Sequence, residues 1–399
     1  MMEYKNKKVL VCGTGISGNS AQKLLLRLGA DVTLENIASK PKKGFDVIVQ
    51  SPGIPFELVE DAAPLVIGEF ELGATRYKGP FLAVTGTNGK TTTVMLLHHI
   101  LSSLGETNLA GNIGVPLTSI ENTELPCVVE ASSFQLEAIQ TFKPKVAAVL
   151  NISEDHLDRH KTMENYIKAK ERIFENQTEN DVLVLNYKDE FCKAMVKKAK
   201  SKVVFFNKDE EPVFDIDKFP LLGIHNYENA LAATKMAQSF GVSNDVIRDA
   251  IYSFSPPEHR LEYICTIGGS KFYNDSKATN PNSTISALNS LNGRTVLIAG
   301  GIKKEADYES LIPYFRNIEA IIVYGMDRDF LAEKWRNFNV IKEDFENVVK
   351  VAFEKNAQNI LFSPACASFD LFKNFEHRGE EFKKIVSRLE VSINGSRQT

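Results

Sequence analysis

The sequence has too few and too scattered cysteines for a disulfide framework. Cys12, Cys127, Cys192, Cys265 and Cys366 are odd in number, far apart and mostly inside apolar segments. They read as reduced, buried thiols of a cytoplasmic protein, and no C-x-x-C pair points to zinc. Charge of one sign is also missing. The formal net charge is -4, which gives no electrostatic reason to expect nucleic acid as a partner. No apolar run approaches the length a bilayer requires, so no membrane insertion is expected. The start, Met1-Met2-Glu3-Tyr4-Lys5-Asn6-Lys7, has no apolar core behind its charges and is not expected to be a signal peptide. Internal repeats and low-complexity tracts are absent as well.

What is present is ordinary globular composition, 43% hydrophobic and 25% charged. A chain of 399 residues carries a prior of roughly two to three domains. Strand-like and helix-like segments alternate throughout, which predicts an α/β fold with mainly parallel sheets. Strands are expected at 8–12, 32–34 and 46–50, then at 81–85, 127–130, 146–150, 182–186 and 202–206, and finally at 261–266, 295–299, 320–324 and 359–363. Gly79-Pro80 and Ser255-Pro256-Pro257 punctuate the chain. They predict three domains, 1–79, 80–257 and 258–399.

Thr85-Gly86-Thr87-Asn88-Gly89-Lys90-Thr91 follows the apolar run Phe81-Leu82-Ala83-Val84 and precedes Thr92-Thr93-Val94-Met95-Leu96-Leu97. A glycine-rich turn between a strand and a helix presents backbone N–H groups and a favourable dipole to an anion. Lys90 would reach terminal phosphates and Thr91 would ligate Mg²⁺. The pattern departs from G-x-x-x-x-G-K-[ST] in having Val84 where the first glycine belongs. A second glycine turn, Gly13-Thr14-Gly15-Ile16-Ser17-Gly18, follows Lys8-Val9-Leu10-Val11-Cys12. Glu35 then falls where a ribose-binding acid sits in an NAD site. The unit is too short for a six-stranded dinucleotide fold. A nucleotide-linked substrate would suit a diphosphate-binding turn as well as NAD does, and a glycine turn needed only for helix packing is the plainer alternative.

Ligands of open parallel sheets sit beyond the carboxyl ends of the strands. Glu130 ends Cys127-Val128-Val129, where a Mg²⁺-side acid is expected. His156 lies in Ile152-Ser153-Glu154-Asp155-His156-Leu157-Asp158, either as a metal ligand or as a surface residue. A helix is expected at about 163–176, with Met163, Tyr166, Ile167, Lys170, Ile173 and Phe174 on one face. An inward lysine either snorkels to the rim or has a lowered pKa. In the second case its neutral amine could take up CO₂ as a carbamate. Asn226 and Asn229 open a later helix, as adenine contacts or as plain caps. Three polar loops follow strands of the last domain: Asn274-Asp275-Ser276-Lys277-Ala278-Thr279-Asn280, Gly300-Gly301-Ile302-Lys303-Lys304 and Ser363-Pro364-Ala365-Cys366-Ala367-Ser368. They are expected to converge on one pocket.

Together these residues resemble the Mur ligases of bacterial peptidoglycan synthesis. The resemblance rests on the Thr85–Thr91 turn, Glu154-Asp155-His156, His225-Asn226-Tyr227-Glu228-Asn229-Ala230, Asn274–Asn280 and the block from Ser363 through Phe369-Asp370, Phe372-Lys373-Asn374-Phe375 and Arg378-Gly379. It implies a small Rossmann-like N-terminal domain, a P-loop ATPase-like central domain and a Rossmann-like C-terminal domain. The C-terminal block is similar to the branch that joins D-glutamate to UDP-MurNAc-L-Ala through an acyl phosphate. Carried over, Gly86, Thr87, Asn88, Gly89, Lys90, Thr91 and Thr92 would hold ATP, with Asn226, Asn229, Arg260 and Asp275. Thr91 and Glu130 would hold one Mg²⁺, and His156 with a carbamylated Lys170 a second. Lys90, His156, Lys170 and Lys277 would act in catalysis. Asn112 and Ser132 would touch the nucleotide-sugar substrate. Thr279, Lys304, Ser368 and Phe375 would frame D-glutamate. The segment after Glu35-Asn36-Ile37 is shorter than in related enzymes, which leaves Ile16, Ser17 and Asn36 as the expected uridine diphosphate contacts. The resemblance also implies a cytoplasmic monomer. A sibling Mur ligase, a folylpolyglutamate-type ligase, an NAD-dependent dehydrogenase and a nucleotide switch are the alternatives.

Overall fold

The computed structural model describes residues 3–255 and 258–395. The Met1-Met2 start and the Pro256-Pro257 punctuation lie outside them. The chain divides into two compact units, Met1–Phe219 with Asn226–Phe254, and Pro220–His225 with Ser255–Thr399.

The first unit holds two parallel sheets. The first contains β1 (Lys8–Cys12), β2 (Asp31–Glu35), β3 (Val47–Gln50) and β4 (Leu65–Gly68) in the order β2-β1-β3-β4. The second contains β5 (Phe81–Thr85), β6 (Asn108–Gly111), β7 (Cys127–Glu130), β8 (Val146–Val149), β9 (Val182–Asn186) and β10 (Lys202–Phe206) in the order β10-β9-β8-β5-β7-β6. Its central strands β5, β7 and β8 are buried along their whole length and apolar but for the terminal Thr85 and Glu130, as suits parallel strands covered on both faces. Two buried carboxylates bind the two sheets into one unit. Glu71 accepts from Thr141 N–H (2.7 Å), Thr141 Oγ1 (2.6 Å) and Phe142 N–H (3.1 Å). Glu69 accepts from Thr118 N–H (3.0 Å) and faces Thr118 Oγ1 at 2.7 Å. Burial raises the Glu69 pKa despite these donors.

The second unit holds β11 (Glu262–Ile267), β12 (Ser270–Asn274), β13 (Thr295–Gly300), β14 (Ile318–Tyr324), β15 (Val340–Lys342) and β16 (Asn359–Ala365), ordered β11-β12-β16-β13-β14-β15. β11 and β12 are antiparallel and the remaining pairs parallel. Separate apolar clusters lie on the sheet's two faces, one around Phe362 and Phe382 and the other around Leu361 and Trp335.

Four strands escape the sequence reading: β4, β6, β12 and β15. β4, β6 and β15 are edge strands of three or four residues, too short to show a clear period. β12 carries Lys271 and follows a hairpin at Gly268 (φ +57°) and Gly269 (φ +90°). A Gly-Gly pair between two strand-like runs is itself a hairpin signal, since both central positions need positive φ.

Candidate active site

Strand register sets this site. β5 lies between β7 and β8, with Val84 beside Glu130 and Thr85 beside Val149. The turn 86–89 therefore emerges between the end of β7 and the loop after β8. Gly86 (φ +152°) and Gly89 (φ +85°) give it a path that a Cβ would block. At Gly86 it would come within 3.0 Å of Leu150 Cβ, and at Gly89 within 2.2 Å of Asn229 Oδ1. The helix Lys90–Ser102 follows directly, so its N-terminus faces the turn.

Two ammonium groups converge on one carbonyl here. Lys90 Nζ donates to Gly86 O and Thr87 O, both at 2.8 Å. Lys170 Nζ donates to the same Gly86 O at 2.7 Å. Lys170 lies on the helix Met163–Glu171, which continues as the 3₁₀ turn Arg172–Phe174 rather than as an α-helix to 176. Its inward placement is as expected: Lys170 is 2% exposed, beside buried Tyr166, Ile173 and Phe174. Burying those three contributes about 1.5–3 kcal/mol each. That is enough to offset the several kcal/mol an ammonium costs when taken out of water. Burial first, and the Lys90 ammonium second, hold the Lys170 pKa well below its usual value; the Asp155 and Glu130 carboxylates pull the other way.

Glu130 is buried at the end of β7. Its Oε1 accepts from Asn112 Nδ2 at 2.8 Å, while Oε2 is buried without a hydrogen-bond partner among the described residues. A buried carboxylate oxygen left without a donor, two lysines sharing a carbonyl and a helix N-terminus form a donor set that fits a polyphosphate with Mg²⁺. Thr91 and Thr92 are buried in the first helical turn. His156, with φ +53°, is half exposed, pairs with Asp155 at 3.5 Å and packs on Phe134. No hydrogen bond joins it to Glu130, Thr91 or Lys170 among the described residues. Ser132 caps the helix Ser133–Leu136 in a capping box with Gln135. Asn226 and Asn229 are buried, 3.3 Å apart at Oδ1 and Nδ2, and Asn229 lies against Gly89 as noted.

At the first glycine turn each glycine has its own task. Gly13 has φ +103°, and a Cβ on Gly18 would lie 1.7 Å from Gly13 O. Nothing lies within 4 Å of a Cβ on Gly15, so that side is open to a ligand. Ile16 is 81% exposed there, Ser17 is partly buried and Asn36 is exposed beyond β2.

In the second unit the three loops do converge. Lys304 Nζ meets Thr279 Oγ1 at 3.3 Å, Lys277 Nζ lies 4.3 Å from the centre of the Phe375 ring, and Ser276 Oγ donates to Phe375 O at 2.8 Å. Ser368 is buried on the loop after β16. Asp275 is buried beneath them, accepting from Leu261 N–H (3.1 Å) and Ser363 Oγ (2.8 Å). Burial pushes its pKa up to about 7, against those bonds and the Arg260 and Arg378 charges.

The residue to which sequence reasoning gave no role is Arg378, fully buried. Its guanidinium donates to the carbonyls of Ser276 (2.7 Å), Cys366 (3.0 Å) and Gly300 (3.5 Å), and to Ser276 Oγ (3.0 Å). It thereby fastens all three loops. The next residue, Gly379, packs closely on His259: a Cβ there would lie 2.2 Å from His259 Nδ1. Glu258, His259 and Glu380 could together hold a metal ion, but Lys383 already sits among their carboxylates, 2.8 Å from Glu380 and 3.6 Å from Glu258, and offsets part of their charge. The five cysteines are free, four of them buried and Cys265 partly exposed.

Comparison with known proteins agrees with this geometry. The Mur ligase middle domain matches residues 84–237, and the Mur ligase glutamate ligase domain matches residues 259–366. UDP-N-acetylmuramoylalanine–D-glutamate ligase of Thermoanaerobacter sp. (strain X514) is 40% identical, covering 97% of this chain and 100% of that protein. The protein of the same name from Clostridioides difficile (strain 630) is 37% identical over 97% and 100%. The first of these alignments runs over 452 positions, more than the 399 residues here, so that relative carries segments this chain lacks. Among solved structures, MurF ligase from Thermotoga maritima in complex with ADP superposes with a TM-score of 0.66 at 18% identity, over 97% of this chain and 96% of that one. UDP-N-acetylmuramate-alanine ligase MurC from the same organism gives 0.61 at 17%, over 97% and 100%. With near-complete coverage at 40% identity and both domain models matched in order, this chain belongs to the Mur ligase family.

Proposed function

We propose that the protein is an ATP-dependent ligase that joins D-glutamate to UDP-N-acetylmuramoyl-L-alanine in the cytoplasm, as a monomer of three domains, 1–79, 80–257 and 258–399. The observation that carries this reading is the shared Gly86 carbonyl, which gathers Lys90 and Lys170 where Glu130 keeps a buried oxygen without a donor. The names of the full-length relatives support the substrates.

ATP with Mg²⁺ supplies a phosphoryl group that turns the alanyl carboxylate, a poor acyl donor, into one the amine of D-glutamate can attack. The chain's own work is positioning and charge neutralisation. Lys90 and the amides at the start of the helix Lys90–Ser102 hold terminal phosphate oxygens. Thr91 and Glu130 hold one Mg²⁺, with Asn112 fixing the Glu130 carboxylate. His156 and Lys170 hold the second, Lys170 as a carbamate; its depressed pKa supplies the neutral amine that carbamate formation needs. Asn226 and Asn229, with Arg260 and Asp275, take the nucleoside. The open face of Gly15, with Ile16, Ser17 and Asn36, takes the uridine diphosphate group, and Ser132 the sugar end of that substrate. Lys304, Thr279 and Ser368 receive the two carboxylates of D-glutamate, which Phe375 helps to frame, with Lys277 adding positive charge.

ADP release measured with UDP-MurNAc-L-Ala and each of D-glutamate, L-glutamate, L-alanine and diaminopimelate tests the assignment. Turnover with D-glutamate alone is expected. Preference for another amino acid would make the protein a sibling ligase instead.

A further inference from the structure

The loop after β8 is stitched to the phosphate turn by backbone bonds and by the side chains of Asn151 and Thr87. Thr87 N–H donates to Asn151 O at 2.9 Å. Asn88 N–H donates to Asn151 Oδ1 at 2.9 Å, and Asn151 Nδ2 donates back to Asn88 O at 3.1 Å. Ser153 N–H adds a bond to Thr87 Oγ1 at 3.0 Å. The loop is braced from behind as well, with Asn186 Nδ2 on Leu150 O at 3.1 Å and Asp189 accepting from Ile152 N–H at 2.9 Å. The Asn151 amide thus pairs with the backbone of Asn88 as a neighbouring strand would. Only an amide supplies one donor and one acceptor in that arrangement. A carboxylate lacks the donor and faces the Asn88 carbonyl with like charge, and an apolar side chain offers neither.

This pairing decides which amides can meet an anion. Those of Thr87 and Asn88 are already committed. Amides in the first turn of a helix have no intrahelical acceptor, and here they include Thr91 and Thr92. We propose that Asn151 is a positioning residue. It locks the turn so that phosphate is received by the first turn of the helix Lys90–Ser102, and it holds the Asp155-His156 loop in fixed register with that turn. The role in phosphate binding rests on the ligase reading above; the locking of the turn does not.

The test uses the full chain with Asn151→Ala and Asn151→Asp, beside Glu154→Ala as a control on the same loop. Amide hydrogen exchange is measured first, without ligand. Asn151→Ala should speed exchange at Asn88 by about tenfold or more and leave the β5 amides unchanged. Asn151→Asp keeps the acceptor for Asn88 N–H but loses the donor to Asn88 O, and should give exchange at Asn88 between that of the parent and that of Asn151→Ala. Calorimetry with Mg·ADP should show about tenfold weaker binding for Asn151→Ala, and kcat should fall by a similar factor, with Glu154→Ala matching the parent. Unchanged exchange at Asn88 in Asn151→Ala would overturn the proposal. So would faster exchange with ADP affinity and kcat both within twofold of the parent. If the parent itself failed to bind ADP, the nucleotide reading would fall, while the exchange data would still decide whether Asn151 fixes the turn.

Discussion

Replacing Lys170 by methionine should make the protein more stable and inactive. The side chain is 2% exposed, and among the described residues its ammonium has one hydrogen bond, to Gly86 O, and the Tyr166 ring 4.6 Å away. Desolvating it costs several kcal/mol. The bond returns about 1.5–3 kcal/mol and the ring contact about 1–2. Methionine nearly matches the length, abolishes the desolvation cost and leaves Gly86 O still bonded to Lys90. The expected net gain is about 1–3 kcal/mol, or a melting temperature higher by about 2–12 °C for a unit of this size. The pH dependence has a definite sign. The folded-state pKa of Lys170 is depressed, so between that value and the unfolded one the unfolded chain holds a proton that the folded chain does not. Parental stability therefore rises with pH in that window, and the advantage of methionine shrinks as pH climbs toward about 10.5. Thermal unfolding in CO₂-free buffer at several pH values reads this directly. Adding bicarbonate should then raise the melting temperature of the parent alone. A methionine variant that melts below the parent at neutral pH, or a gap that widens with pH, would refute the reasoning.

Lys170→Ala should abolish turnover yet bind ADP nearly as well as the parent, and acetate should restore part of the activity. Lys168→Ala should be near neutral in the same assay, because Lys168 is exposed and pairs with Glu164 on its own helix. Gly15→Ala, with open space around the new Cβ and φ near −75°, should melt at or slightly above the parental temperature, by up to about 1 kcal/mol. It should still weaken UDP-MurNAc-L-Ala binding in calorimetry. Gly18→Ala, whose Cβ would lie 1.7 Å from Gly13 O, should lower the melting temperature outright. Asp275 has its folded pKa raised to about 7, so its contribution to stability is present below about pH 4 and lost as pH rises through 7. Asp275→Asn should therefore gain on the parent in melting temperature between pH 5 and pH 8, and a gain that reverses over that range would count against the assigned shift.

The sequence alone was sufficient wherever the chemistry is local. The two glycine turns, the strands feeding them and the helices after them depend on neighbours within about ten residues, and Gly13, Gly86 and Gly89 have the positive φ their roles require. The inward face carrying Lys170 was readable too, because helical period alone sets it. Tertiary structure decided what depends on residues far apart in the chain. The amide that fastens Asn88 comes from Asn151, 63 positions away. The guanidinium that fastens three loops comes from Arg378, 102 positions from Ser276. Edge strands β4, β6 and β15 take their extended form from a neighbouring strand rather than from any period of their own. Likewise, Glu69 and Glu71 look like surface acids on a short helix. Only the approach of Thr118 and Thr141, in connections between strands of the second sheet, makes them buried acceptors, because burial of a charge is stable only where donors arrive from elsewhere in the fold.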